Sequence, residues 1–68
     1  MKVKGDTLVG REIIIEFYPV GNTVRVSAMD VKTLTEISIQ GPRSAPEETL
    51  KLNAIKRLSY VLKKKGLV

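Results

Sequence analysis

The sequence predicts an α+β domain: a three-stranded antiparallel meander with one C-terminal helix packed on one face, in the order β-β-β-α. Three observations predict it. Apolar and polar residues alternate over residues 11–19, 23–29 and 35–40, as half-buried strands require. An apolar stripe at helical spacing then runs from Leu50 to Leu62. Only one face of the predicted sheet is apolar throughout, so a second layer has to cover it.

The first strand is REIIIEFYP, residues 11–19, with Ile13, Ile15 and Phe17 on one face and Glu12, Ile14, Glu16 and Tyr18 on the other. TVRVSAM repeats the alternation, with Val24, Val26 and Ala28 inward and Thr23, Arg25, Ser27 and Met29 outward. Gly21 and Asn22 accept positive φ at little cost and suit the tight turn between the strands. Two registers keep the faces intact. A loop at Val20-Gly21 sets Phe17 against Val24, Ile15 against Val26 and Glu16 across from Arg25. A loop at Gly21-Asn22 shifts every pair by two, and a slip of one residue would turn the apolar set to water.

In the next connection, DVKTL, the Asp30 side chain can accept from amides two or three residues on, forming an Asx-type turn. TEISIQ supplies Ile37 and Ile39 to the apolar face and Glu36, Ser38 and Gln40 to the other. Gly41 and Pro42 are expected to end this third strand. Ser44-Ala45-Pro46-Glu47 fits the S-x-x-E capping box that opens a helix, with proline in the first turn, where amides lack helical partners. Leu50, Ala54, Ile55, Leu58, Val61 and Leu62 form the buried stripe, and Gly66 closes the helix. Residues 1–10 carry Gly5 and Gly10 without a clear period and read as a loosely structured arm or a short extra strand; residues 11–68 form the single domain.

Sixty-eight residues with a net charge of +5 and no cysteine or histidine narrow the chemistry. A core of this size supplies about 3–5 kcal/mol, and small domains add disulfides, a metal or self-association. Disulfides and Cys/His zinc sites are excluded by composition, so a homodimer is expected. The proline-containing connection GPRSAP holds sheet and helix apart in a way that allows a helix-exchanged dimer. Cysteine and histidine nucleophile systems are excluded too. Glu12 and Glu16, four residues apart on one strand face, are separated by about 13 Å, too far to share a proton; they are expected to solubilise the sheet and pair with Arg25. No phosphate loop, dinucleotide fingerprint or calcium loop occurs. The reading is a non-catalytic protein with no cofactor and no metal, without a membrane span or a leader, and cytoplasmic.

Two surfaces remain as candidates. Ile14, Tyr18 and Met29 lie among charges on the outward sheet face, where alternation has no need of them, and read as a surface for an unidentified protein partner or a second copy. KRLSYVLKKKG, residues 56–66, places Lys56, Arg57, Lys63 and Lys64 opposite Leu50, Leu58 and Val61. Solvation and the helix dipole account for a basic face of that kind. Phosphate contacts to nucleic acid are the functional alternative and the less favoured one.

The blocks EFYPVGNTVRVSAMD, TEISIQGP followed by SAP, and KRLSYVLKKKG resemble a family of small alphaproteobacterial proteins described only as a domain of unknown function. The likeness spans roughly residues 12–66. Its most specific elements are Val20-Gly21-Asn22 with the V-x-V-S-A-x-D strand after it, and Gly41-Pro42 ahead of the helix. The resemblance implies a compact cytoplasmic bacterial protein and carries no reaction, ligand or site residue with it. The arm MKVKGDTLVGR is its least characteristic part.

Overall fold

The alternating segments become the strands Ile13–Val20, Thr23–Asp30 and Glu36–Pro42, followed by the helix α1, Glu47–Lys64. The structure is a computed structural model that describes residues 10–68 and the backbone of residues 2–3. Lys2–Val3 adds a two-residue strand, so the elements are β1 (Lys2–Val3), β2 (Ile13–Val20), β3 (Thr23–Asp30), β4 (Glu36–Pro42) and α1. The sheet is antiparallel throughout, in the order β1-β2-β3-β4. Of the expected arm, residues 1 and 4–9 lie outside the described residues.

Of the two registers the sequence allowed, the chain takes the Gly21-Asn22 loop. Phe17 faces Val26, Ile15 faces Ala28 and Tyr18 faces Arg25. Gly21 has φ +60, whereas Asn22 has no positive φ. That sign pattern belongs to the type II′ turn, whose twist matches the flanking strands. Arg25 consequently lies opposite Tyr18, and the expected pairing of Arg25 with Glu16 or Glu12 gives way to a guanidinium over the Tyr18 ring at 5.1 Å.

β4 runs two residues further than expected. Gly41 and Pro42 remain in the ladder opposite Val24 and Thr23, which proline tolerates at the end of an edge strand. The core lies between the inward sheet face and α1: Ile13, Ile15, Val26 and Ala28 meet Leu50, Ala54, Ile55, Leu58 and Leu62. Phe17, Val24, Ile37, Ile39 and Ala45 pack around its margin and are only partly buried.

The helix begins later than the capping box placed it. Pro46, extended at φ −61 and ψ 140, is the N-cap, and no side chain caps the first turn. Ala45 precedes a proline and is disfavoured in the helical region, so a helix starting behind Ser44 would strain it. Ala45 instead closes a turn by donating its N–H to the Pro42 carbonyl at 3.0 Å. Val61, expected in the buried stripe, is half-buried, and Ser59 is buried in its stead. The 50-54-58-62 row is the centre of the contact, and α1 is rolled toward the flank carrying Ile55 and Ser59.

The C-terminus ends as expected, with Gly66 at φ +73. Gly66 N–H donates to the Lys63 carbonyl at 3.0 Å and Leu67 N–H to the Leu62 carbonyl at 2.9 Å, the paired bonds of a Schellman stop.

At the other end, Leu50 lies directly on β4. A β-carbon built on Gly41 would overlap Leu50 Cδ2, the far end of the leucine side chain, so a larger residue there requires Leu50 to turn aside. Gly41→Ala is expected to cost about 1–3 kcal/mol in urea unfolding, as overpacking does. Leu50→Ala in the same chain should remove most of that increment, so a double-mutant cycle with additive losses would refute the contact.

Candidate functional site

Asp30 is the only charged residue in the buried set of described residues, with an exposure of 0%. It ends β3, and its backbone closes the turn to β4: its N–H donates to the Thr35 carbonyl at 2.8 Å and its carbonyl accepts from Leu34 N–H at 2.7 Å. Its Oδ2 accepts from the Thr33 N–H at 3.1 Å, which is the expected Asx-type bond, and from Thr33 Oγ1 at 2.7 Å. The third donor is Arg11, whose Nη1 lies 2.6 Å from the same oxygen. Arg11 also donates from Nη2 to the Leu67 carbonyl at 2.7 Å. One carboxylate thus ties the start of β2, the β3–β4 turn and the tail behind α1.

Burial would raise the Asp30 carboxyl. The bonds from the Thr33 hydroxyl and amide and the nearby Arg11 charge outweigh it and hold the group below its ordinary 3.8. Asp30 Oδ1 is buried with no hydrogen-bond partner among the described residues. The turn carries a second departure from ease: Leu34 has φ +59 and is 70% exposed. A non-glycine residue in that region is held at a cost of about 1–2 kcal/mol. The sequence announced the Asx turn, but neither Arg11 as its ion-pair partner nor Leu34 as its strained tip.

The outward sheet face carries the predicted partner residues, which do not form one patch. Ile14 and Met29 are direct cross-strand partners and half-bury each other. Tyr18 lies four residues along β2 from Ile14, about 13 Å away at strand spacing. Its ring is covered by Arg25 and its hydroxyl donates to Glu16 Oε1 at 2.7 Å. That bond to a carboxylate pushes the phenol above its ordinary 10.0. Between the two groups lie Glu16 and Ser27, a facing pair.

The outward face of α1 gathers the four cations expected there. Lys56, Arg57, Lys63 and Lys64 are all exposed. At their centre stands Tyr60, 55% exposed, to which they stand at i−4, i−3, i+3 and i+4, the positions that neighbour a residue on a helix surface. The Arg57 guanidinium lies 5.6 Å and the Lys64 ammonium 5.8 Å from the centre of the ring. The one ion pair on α1 among the described residues is Lys51 with Glu48 at 3.3 Å. Tyr60 escaped notice in the sequence because its own stretch reads as apolar stripe plus lysines. The signal was in the spacing, four cations one turn to either side.

Among the described residues, no cluster of His, Cys, Asp or Glu is placed to hold a metal ion, and no helix is long and apolar enough to cross a membrane. The fold and its surfaces define a two-layer α+β domain that covers one sheet face with a helix and presents the other. The chain belongs to the family described as a Domain of unknown function (DUF6898), whose pattern matches residues 10–65, from the glycine ahead of β2 to the end of α1. No curated protein and no solved structure matches the chain.

The Asp30 cluster gives a pH-dependent outcome. A carboxyl depressed in the folded chain contributes stability that is fully present above its unfolded value and is lost as pH falls through the folded one. The melting temperature is therefore expected to fall as pH drops below 3.8. Asp30→Asn should have a flatter acid limb, and an unchanged limb would assign the loss to other carboxylates. Asp30→Ala, which strands Arg11, is expected to cost about 3–5 kcal/mol, most of the stability of a core this small.

Proposed function

We propose that the protein acts by binding and not by catalysis, as a homodimer whose copies pair antiparallel along β4. One observation carries this reading. Ile37 and Ile39 point to the core face yet remain half-buried, because β4 is the edge of the sheet and no described residue lies beside it. Edge strands are normally guarded by lysine, proline or a bulge. β4 has Glu36 at one end and Pro42 at the other, and only Ile37-Ser38-Ile39-Gln40-Gly41 between.

Pairing centred near Ser38 would place Ile37 of one copy opposite Ile39 of the other, on the core face of both. It would extend the two apolar layers across the axis and satisfy the outer backbone groups. Exchange of α1 between copies is supported less well. The connection that would have to open is held to its own hairpin, through Arg43 N–H on the Asn22 carbonyl at 3.0 Å and Arg43 Nη1 on the Gly21 carbonyl at 3.2 Å. In the paired dimer the outward face with Ile14, Tyr18 and Met29 becomes continuous across both copies and is the surface offered to a further protein partner. A cytoplasmic, bacterial setting belongs to this proposal.

Sedimentation equilibrium at about 100 µM should give the mass of two chains, a concentration suited to a single strand pair. Ser38→Lys, on an exposed position, sets like charges across the axis and should give a folded monomer whose melting temperature is lower than the native chain's and no longer rises with protein concentration. A native chain that stays monomeric there sinks the proposal, as does a Ser38→Lys variant that still dimerises.

A second reading is favoured by the charge of α1. From Thr49 to Val68 the chain has six cations, Lys51, Lys56, Arg57, Lys63, Lys64 and Lys65, and no acidic residue. Lys56, Arg57, Lys63 and Lys64 have no ion-pair partner among the described residues. They are proposed to contact the phosphates of nucleic acid. If so, affinity for oligonucleotides falls steeply with salt, and Lys63→Gln with Lys64→Gln should flatten that dependence. No retention at about 50 mM salt would remove this reading.

A further inference from the structure

We propose that the outward face of α1 is a binding site for single-stranded nucleic acid, in which Tyr60 stacks an unpaired base and its four basic neighbours hold the adjoining phosphates. The proposal rests on the phosphate-binding reading of α1 and adds a ligand class to it.

Three features of the face select this ligand. The first is the placement of the ring. Tyr60 is surrounded by Lys56 and Arg57 one turn before and Lys63 and Lys64 one turn after, and it is left 55% exposed on the side of α1 away from the sheet. A tyrosine needed for the core would be buried with Leu58 and Leu62, and this one lies outside the buried cluster. The second is charge. No acidic side chain follows Glu48, and none of the four cations is neutralised by a described residue. An anionic ligand therefore meets four positive groups without a competing carboxylate. The third is scale. Lys56 and Lys64 are eight residues apart, about 12 Å along the helix at 1.5 Å per residue. That length suits a few phosphates of one strand.

A duplex would use the cations and leave the ring idle, because its bases are already stacked. An unpaired base gains the ring as a platform, and stacking on an aromatic side chain tolerates any sequence. Arg57 strengthens the platform, since its planar guanidinium sits 5.6 Å from the ring centre and can extend the stacked surface while reaching a phosphate. Lys64 lies against the ring at 5.8 Å. Both cations lie within cation–π reach of the ring. Tyr18 also carries an arginine over its ring, but its hydroxyl is tied to Glu16, a carboxylate that would repel a phosphate, and no such carboxylate bonds Tyr60 among the described residues.

The test is fluorescence anisotropy of labelled mixed-sequence DNA and RNA, about 12 nucleotides long, single-stranded or as the matching duplex, titrated with the full chain at about 50 and 200 mM salt. Four contacts give a slope near −3 in log affinity against log salt, about a 50-fold loss between those salts. The single strand should bind more tightly than the duplex. Tyr60→Ala should weaken the single strand about 5- to 150-fold, the range of one lost stacked base, and leave the duplex unchanged. Tyr60→Phe should restore tight binding, which separates stacking from any loss of helix structure. Equal binding of single strand and duplex, with no effect of Tyr60→Ala, overturns this inference and leaves the phosphate reading standing. No binding of either oligonucleotide overturns both. Retention on phosphatidylglycerol vesicles without oligonucleotide binding does so too and assigns the face to membranes.

Discussion

Leu50 lies so close to the backbone of Gly41 that a β-carbon on the strand would overlap its Cδ2, and that contact sets the seat of α1 on the sheet. Leu50 is the first of the row by which α1 packs on the sheet. That 50-54-58-62 row faces inward, and the opposite arc, with Tyr60 and its four cations, faces out. The same seat explains the incomplete burial of β4. Leu50 and its row fill the space over Val26 and Ala28, and the edge residues Ile37 and Ile39 keep one side open. Both surfaces proposed for binding thus follow from the strand order and from the row by which α1 packs on the sheet.

The far end of the helix is held by different physics. Arg11 joins Asp30 to the Leu67 carbonyl, so the tail behind α1, the start of β2 and the β3–β4 turn share one buried carboxylate. A buried ion pair is seldom worth more than the apolar residues that could replace it, because its desolvation offsets most of the attraction. Its effect is specificity: with Asp30 ionised, Arg11 must come to it, and the segment before β2 must meet the tail behind α1. A 68-residue chain without disulfides thereby gains a fixed geometry where these three segments join. The uncompensated Oδ1 and the Leu34 backbone lie in this same turn, so the latch is held at the expense of local ease.

Most of the fold was legible because period-two and period-3.6 patterns leave little choice of face. Ile13, Ile15, Val26, Ala28, Leu50, Leu58 and Leu62 lie where alternation and stripe place them. The misreadings share a cause, which is that local motifs compete with their neighbours. Ser44-Ala45-Pro46-Glu47 has the letters of a capping box, but proline at the third place constrains Ala45 and moves the start to Glu47. Val61 and Ser59 exchange burial because an apolar stripe fixes a face only to within the roll of the helix. The Arg11–Asp30 pair was illegible for a stronger reason: its members are nineteen positions apart, and nothing in either segment marks the other. The candidate surfaces were legible by composition only. Ile14, Tyr18 and Met29 share a face, but whether they touch depends on a register that two loops allowed.

The basic run is where sequence and structure pull furthest apart in meaning. The helix dipole favours cations near the C-terminus, and its influence is confined to the last turn. Lys63 and Lys64 lie there. Lys56 and Arg57 lie two turns earlier, so the dipole gives no reason for them. Solubility accounts for charge of either sign, and a helix face optimised for stability alone would mix acids among the lysines to gain i,i+4 pairs. This face has none beyond Glu48, and the four like charges around Tyr60 repel one another without compensation from a described partner. An arrangement that forgoes available pairing is maintained against a small energetic disadvantage. A polyanion across the face would turn that repulsion into attraction, and the exposed ring at its centre gives the polyanion something to hold besides charge.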